Sequence, residues 1–389
     1  MMAMPEKEQL ETLESIERIN QQLPDIDEIK EWKARGGKVV GWFCDYVPEE
    51  LIHAAGLLPV RVTGVLKEIP FDDANAYLYT TTCSFVRTCF QLAFEKKYDY
   101  LDGFVVASNC DHARRLFDVW DRYISTPYRY IISVPHTKLP QAQKFYEREL
   151  EDFKKSLEDQ FKVRISEGKI SESIQLFNRA RKNLRQLYEL RKEATPKVTG
   201  AEVSKIMNAC EKLPKEKFNP MIESVLQELG NSHRKDGIPL RLMVSGSVLN
   251  NAHYIEFIEN QGCSVVIDDL CTGVRYWWDQ VSEDEPPMQA LARRYLTRFP
   301  CARMTPGEDR FEQVVELAKE YRVDGVIQEM VRYCTPTAWE RPWLRKSFED
   351  AGIPVLQLEI LYGAAGTGQL KIRIQAFLEM LEMRNEDFL

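Results

Sequence analysis

Six cysteines carry the chemistry of this sequence. Cys44, Cys110, Cys271 and Cys334 each follow a short apolar run of strand length, and Cys83 and Cys301 each stand at a loop-to-helix junction ahead of an Asp-Gly strand. In open parallel αβ sheets the loops at the carboxyl ends of the strands line the ligand crevice, so these positions face a site. A single free cysteine is an ordinary small buried residue, but six so placed read as thiolate ligands. Structural zinc uses closely paired Cys-x2–4-Cys ligands, which the chain lacks. Isolated thiolates reaching into one cleft suit an iron–sulfur cluster, whose larger inorganic core spans loops from both halves of a protein. The remaining cysteines read as packing residues. Cys263 opens a buried strand, Cys210 lies in a helical stretch, and Cys89 sits six residues beyond Cys83 on one helix, about 240° round it.

Other candidates are weaker. His53, inside the apolar helix Leu51–Ala55, reads as a satisfied core histidine rather than a base. His112 follows Cys110 beside Arg114 and Arg115, a place from which to donate to a cluster sulfide or a phosphate, or simply to face solvent. The run Gly363–Gln369 precedes a helix, so its amides could cradle an anion, but it lacks the Lys-Ser/Thr pair of a P-loop and is not read as an ATP site. There is no G-x-S-x-G elbow and no G-x-G-x-x-G after a strand.

The elements that must position these residues alternate. Residues 1–35 read as N-terminal helices, with Leu10, Leu13, Ile16 and Ile19 at regular spacing. Strand runs at 38–43, 57–62, 102–108 and 128–134 are separated by helical patterns, giving a first αβ domain over 36–140. Residues 141–235 are charge-rich and helical. Strand signals return at 240–245, 262–267, 324–328 and 353–358, with a final helix from about 370 to 383, so a second αβ domain covers 236–389. The two αβ regions repeat the same order of elements, including a matched Asp-Gly at Asp102-Gly103 and Asp324-Gly325. The expected fold class is α/β: two similar small parallel-sheet halves of Rossmann or flavodoxin-like type, joined by a helical segment.

With 389 residues, 44% apolar and 11% aromatic, the chain buries sizeable cores and is not intrinsically disordered. A net charge of −8 with dispersed Lys and Arg leaves no footprint for nucleic acid. No apolar run approaches membrane-helix length and the first residues are polar and acidic, so the expectation is a cytoplasmic protein with no membrane partner.

The blocks VGWFCDYVPEELIHAAGLLPVRVTG, CSFVRTC, DYLDGFVVASNCDHARRLFDVW, DDLCTGVRYWWD and GQLKIRIQAFLEML together resemble the 2-hydroxyacyl-CoA dehydratase and benzoyl-CoA reductase superfamily from about residue 36 onward. That resemblance implies two αβ halves around an iron–sulfur cluster, a dimer, and electrons from a separate ATP-hydrolysing iron–sulfur activator. Cys83, Cys110 and Cys334 match the three ligands of the superfamily's [4Fe-4S] cluster, and Cys44, Cys271 and Cys301 are additional. Six resemble the double-cubane branch, in which two cubanes share a bridging sulfide as an [8Fe-9S] cofactor. The resemblance therefore implies a homodimeric iron–sulfur oxidoreductase that reduces small molecules. The alternatives are a single-[4Fe-4S] subunit of an acyl-CoA dehydratase, a lyase, or of an aromatic-CoA reductase, and a non-catalytic electron carrier. Candidate activator-docking residues are Arg275, Tyr276, Trp277 and Trp278 after Cys271, and Trp339, Arg341 and Trp343 after Cys334.

Overall fold

The computed structural model describes residues 6–231, 240–364 and 366–386. The end of the expected helical segment at 232–235 and Ala365 of the glycine-rich run lie outside the described residues.

Two helices, α1 (Glu6–Gln22) and α2 (Asp27–Ala34), precede β1 (Val39–Phe43). Next come α3 (Glu49–Ala54), β2 (Leu58–Arg61), α4 (Ala74–Tyr77), α5 (Ser84–Phe94), β3 (Gly103–Ala107), α6 (Asp111–Tyr123) and β4 (Tyr128–Ile132). Four helices follow: α7 (Pro140–Phe161), α8 (Glu167–Glu189), α9 (Gly200–Cys210) and α10 (Lys215–Asn231). The second half holds β5 (Leu240–Ser245), α11 (Ala252–Glu259), β6 (Cys263–Asp269), α12 (Val274–Trp277), α13 (Pro287–Thr297) and α14 (Glu308–Glu320). It closes with β7 (Gly325–Val331), α15 (Thr335–Asp350), β8 (Val355–Ile360) and α16 (Gly368–Glu386).

All strand pairs are parallel, and the sheets run β2-β1-β3-β4 and β6-β5-β7-β8, one order used twice. The fold is α/β, as the alternating pattern requires. The strands are apolar on both faces because helices cover both. In β1 and β3 every residue is buried.

The repeated Asp-Gly has a structural reason. The carboxylate of Asp102 accepts the N–H of Val39 at 2.9 Å and that of Asp324 accepts the N–H of Arg241 at 2.7 Å, so each caps the first residues of the neighbouring strand. The glycine after each is closely packed: a Cβ on Gly103 would stand 2.9 Å from Tyr128, and one on Gly325 2.7 Å from Leu381.

The helical segment is wedged between the halves. On α8, Arg181 pairs with buried Glu50 of α3 at 2.5 Å, and Tyr188 donates to buried Asp268 of β6 at 2.5 Å. One apolar core runs from the first half through α7–α10 into the second.

In each sheet the order reverses beside its first strand, between β1 and β3 and between β5 and β7. Such switch points open a crevice at the strands' carboxyl ends. Both crevices here open into one space.

Candidate functional site

All six cysteines expected as ligands line a single cavity of about 120 Å3. Cys44 follows β1 directly, in the left-handed region at φ 79°. Cys110 lies three residues past β3, Cys271 two past β6 and Cys334 three past β7. Phe43, Phe85, Val86, Val248 and Val331 make the apolar wall, with Phe43 stacked on Phe85 at 5.1 Å. Cys89, Cys210 and Cys263 are buried away from this lining. Cys210 faces the Tyr276 hydroxyl at 3.9 Å, and Cys263 directs its sulfur at the Ile258 carbonyl at 3.3 Å.

The six thiols have unlike surroundings. Cys83, Cys110 and Cys334 are the N-cap residues of α5, α6 and α15. The Ala113 amide donates to the Cys110 sulfur at 3.4 Å, and the Thr337 hydroxyl lies 3.3 Å from the Cys334 sulfur. Cys44, Cys271 and Cys301 are in loops. Cys301 was expected at a junction matching Cys83, but it lies in the turn between α13 and α14, seven residues before α14 begins, and caps no helix.

The loop cysteines sit against a buried net of charge. Arg61 reaches Glu211 at 2.5 Å, Asp45 at 2.9 Å, the Cys271 carbonyl at 2.8 Å and the Cys271 sulfur at 3.4 Å. Arg298 lies 3.8 Å from Asp45 and donates to the Arg275 carbonyl. Arg275 donates to the carbonyls of Gly246 and Asp269. Asn109 points its amide at the Cys301 sulfur at 3.6 Å, while its backbone carbonyl accepts from Arg303 at 3.1 Å.

Burial pushes the thiols of Cys44 and Cys83 well above the usual thiol range and those of Cys110 and Cys271 up to about 12, with Cys334 also raised. Neighbouring sulfurs add to this. Cys83 is opposed by Cys334 and Cys110, Cys110 by Cys334 and Cys301, Cys334 by Cys301, Cys44 by Asp45, Cys301 and Cys110, and Cys271 by Asp45 and Cys301. These five thiols resist ionising together, and bound cations reverse that resistance. Burial also raises Glu211 to about 7, with the Arg61 guanidinium pulling the other way.

The donor set fits an iron–sulfur core. Among the described residues no three His, Cys, Asp or Glu side chains close on one metal ion; the six sulfurs ring a space instead. Arg298, only 3% exposed, leaves its Nε–H without a hydrogen-bond partner beside that space, and the Asn109 carboxamide oxygen is likewise unpartnered. An anionic sulfide core would accept from the first.

His53 is structural, its ring nitrogens meeting Ser173 at 3.0 Å and Glu216 at 2.9 Å. His112 accepts the Cys83 amide on Nδ1 at 3.1 Å, so it fixes the α5 entrance and leaves Nε2 as its free nitrogen. In the glycine-rich run, the Ala364 carbonyl accepts from Asn251 and the Leu370 amide is capped by Thr367.

One expectation is corrected. Arg275, Tyr276 and Trp277 are buried, because α12 turns inward and Tyr276 donates to Glu49 at 2.7 Å; they form no docking face, and Trp278 is only half-exposed. Trp339 and Trp343 are 77% and 66% exposed on α15, one turn apart. The sequence reading missed Arg61, Asp45 and Thr337. Asp45 and Thr337 adjoin or closely follow ligand-position cysteines, which was a usable signal. Arg61 gave none, because a charged residue ending a strand run is ordinarily solvated.

Residues 44–381 match the 2-hydroxyglutaryl-CoA dehydratase, D-component family. The chain is 25% identical over 356 residues to the (R)-phenyllactyl-CoA dehydratase beta subunit of Clostridium sporogenes, covering 91% of this chain and 94% of that one. It is 27% identical over 361 residues to a subunit of the benzoyl-CoA reductase of Thauera aromatica, covering 90% and 93%. With the lactoyl-CoA dehydratase subunit beta of Anaerotignum propionicum it shares 25% identity over 374 residues, covering 94% and 99%.

Proposed function

From a chain that belongs to the 2-hydroxyglutaryl-CoA dehydratase D-component family, we propose an iron–sulfur oxidoreductase whose six cavity cysteines hold an [8Fe-9S] double cubane. Cys83, Cys110 and Cys334 would ligate one cubane and Cys44, Cys271 and Cys301 the other. The observation that carries this reading is that all six sulfurs line one cavity between the two halves. When bound, the cluster supplies electrons at low potential to a small-molecule substrate.

The protein's own residues do the rest. Phe43, Phe85, Val248 and Val331 keep water from the site. Arg61, Asn109 and Thr337 direct hydrogen bonds at ligand sulfurs. Arg61 and Arg298 are fixed by Asp45, so their positive charge is placed before anything binds.

The sequence has no nucleotide-binding motif, so ATP-driven electron delivery would come from a separate iron–sulfur activator. The exposed Trp339 and Trp343 on α15, which starts just after Cys334, are the docking candidates, since aromatics are favoured at interface hot spots. The reading includes a homodimer and a cytoplasmic location; among the described residues no helix is long and apolar enough to cross a membrane.

The second reading is a [4Fe-4S] subunit of an acyl-CoA dehydratase or aromatic-CoA reductase. It is favoured by the fact that only Cys83, Cys110 and Cys334 share one structural device, the helix N-cap. Iron and acid-labile sulfide analysis of anaerobically purified protein decides. About eight irons per chain are expected, and about four would overturn the double-cubane reading in favour of the second.

A further inference from the structure

The two sets of three cysteines differ in electrostatics as well as in placement. Cys83, Cys110 and Cys334 cap three helices of 11, 13 and 16 residues. Each N-terminus carries the equivalent of roughly half a positive charge, and all three cap residues line the cavity. Only α6 has an acidic residue in its first turn, Asp111, and that side chain is exposed and faces Arg115 at 3.6 Å. The loop cysteines meet ion-paired side chains instead. Arg61 and Arg298 face Asp45, Arg61 also faces Glu211, and Arg275 and Arg310 face Asp269, with Glu340 beyond Arg310. Each of these four guanidinium groups has a carboxylate partner, and Arg303, which also lines the cavity, donates to the Asn109 carbonyl, so Cys44, Cys271 and Cys301 meet ion-paired side chains in place of helix N-termini. The space is a built site: six cysteines line it, and 3%-exposed Arg298 in the same lining has an Nε–H without a hydrogen-bond partner.

We infer that Cys83, Cys110 and Cys334 form the electron-accepting end of the site, and that Thr337 is the positioning residue that sets its potential through the sulfur of Cys334. The inference rests on the double-cubane reading above. The step is the uptake of one electron from an external low-potential donor, with no bond made or broken. The added negative charge is stabilised by the α5, α6 and α15 amides and by the hydroxyl of Thr337. That hydroxyl is the natural lever: Thr337 is 2% exposed, and its oxygen lies 3.3 Å from the sulfur. Once the sulfur is a metal-bound thiolate it has no proton to give, so the hydroxyl must be the donor. At the other end Asn109 makes the comparable contact with Cys301 at 3.6 Å.

The test is an anaerobic potentiometric titration of iron-loaded protein, followed by electron paramagnetic resonance, with iron content measured on each sample. Thr337→Val should shift the first reduction to lower potential, Thr337→Ser should restore the wild-type value, and Asn109→Ala should move it less than Thr337→Val does. Eight irons per chain with an unmoved first reduction in Thr337→Val would overturn the inference, as would an equal shift in Asn109→Ala. Four irons in the wild type would overturn the double-cubane reading itself, and this inference with it. Should Thr337→Val fold poorly, Thr337→Ala removes the same hydroxyl and must lower the first reduction potential in the same way; an unmoved potential there overturns the inference.

Discussion

Replacing Glu329 by Gln tests how the second half carries a carboxyl inside its sheet. Glu329 sits on central strand β7 with no exposure, and neither carboxyl oxygen has a hydrogen-bond partner. Burial raises its pKa from 4.5 to about 8, with Arg341 of α15 opposing. The other charged or titratable groups around this spot are Tyr254 of α11, Arg373 of α16 and Glu359 of β8. The folded state therefore binds the proton more tightly than the unfolded one. Stability from this group is fully present below pH 4.5 and is lost as pH rises through about 8. At about 1.4 kcal/mol per pH unit, flattening near the folded pKa, the wild type should lose about 2 kcal/mol between pH 6 and 8 that Glu329→Gln does not lose. For a chain of this size that is a difference of about 3 °C in Tm. Thermal melts of both proteins at pH 6, 7 and 8 read it directly, because comparing slopes removes any constant cost of the carboxamide. Infrared spectra at pH 7 should show a protonated-carboxyl stretch in the wild type that is missing from the variant. Parallel pH dependences together with no such band would refute the reasoning.

Cys110→Ala should lose iron, because a missing thiolate leaves one iron without a strong ligand, whereas Cys210→Ala, which lies off the cavity, should keep its full content; equal iron in the two proteins would contradict the assignment. Arg310→Met removes a guanidinium that holds Asp269 at 2.7 and 3.0 Å and Glu340 at 2.7 and 3.0 Å. With Glu340 deprived of this guanidinium and Asp269 left to Arg275 at 3.5 Å, the cost should be about 3–5 kcal/mol in urea unfolding, largely recovered by adding Glu340→Gln, and a cost of about 1 kcal/mol or less would argue against it. Trp339→Ala with Trp343→Ala should leave stability within about 0.5 kcal/mol, as fits exposed positions, but slow activator-dependent reduction of iron-loaded protein; unchanged rates and unchanged activator affinity would remove α15 as the docking face.

The expected strand runs correspond to β1–β8, and the physical reason is the parallel sheet itself. A strand buried on both faces must be an unbroken apolar run, so Val39–Phe43 and Gly103–Ala107 announce themselves without any help from periodicity. The duplicated order of elements along the chain was legible for a related reason: an aspartate that caps the adjacent strand, followed by a tightly packed glycine, is needed at the same point in each half. That Cys44, Cys110, Cys271 and Cys334 line the cavity followed from the rule that the carboxyl ends of parallel strands line the crevice, whereas Cys83 and Cys301 follow no strand and were legible only from their matched places in the repeat. What the sequence did not disclose is charge carried inward. Arg61, Arg298 and Arg310 are individually indistinguishable from surface arginines, and the carboxylate that Arg298 faces, Asp45, lies more than two hundred residues upstream in the chain. The same blindness placed Tyr276 and Trp277 on the surface, although Glu49, equally remote in sequence, draws Tyr276 inward. Local pattern reports whether a residue is apolar or polar. A buried polar net is decided by whether distant partners arrive together, and around this cavity those partners set which sulfurs meet ion-paired side chains and which stand at helix N-termini.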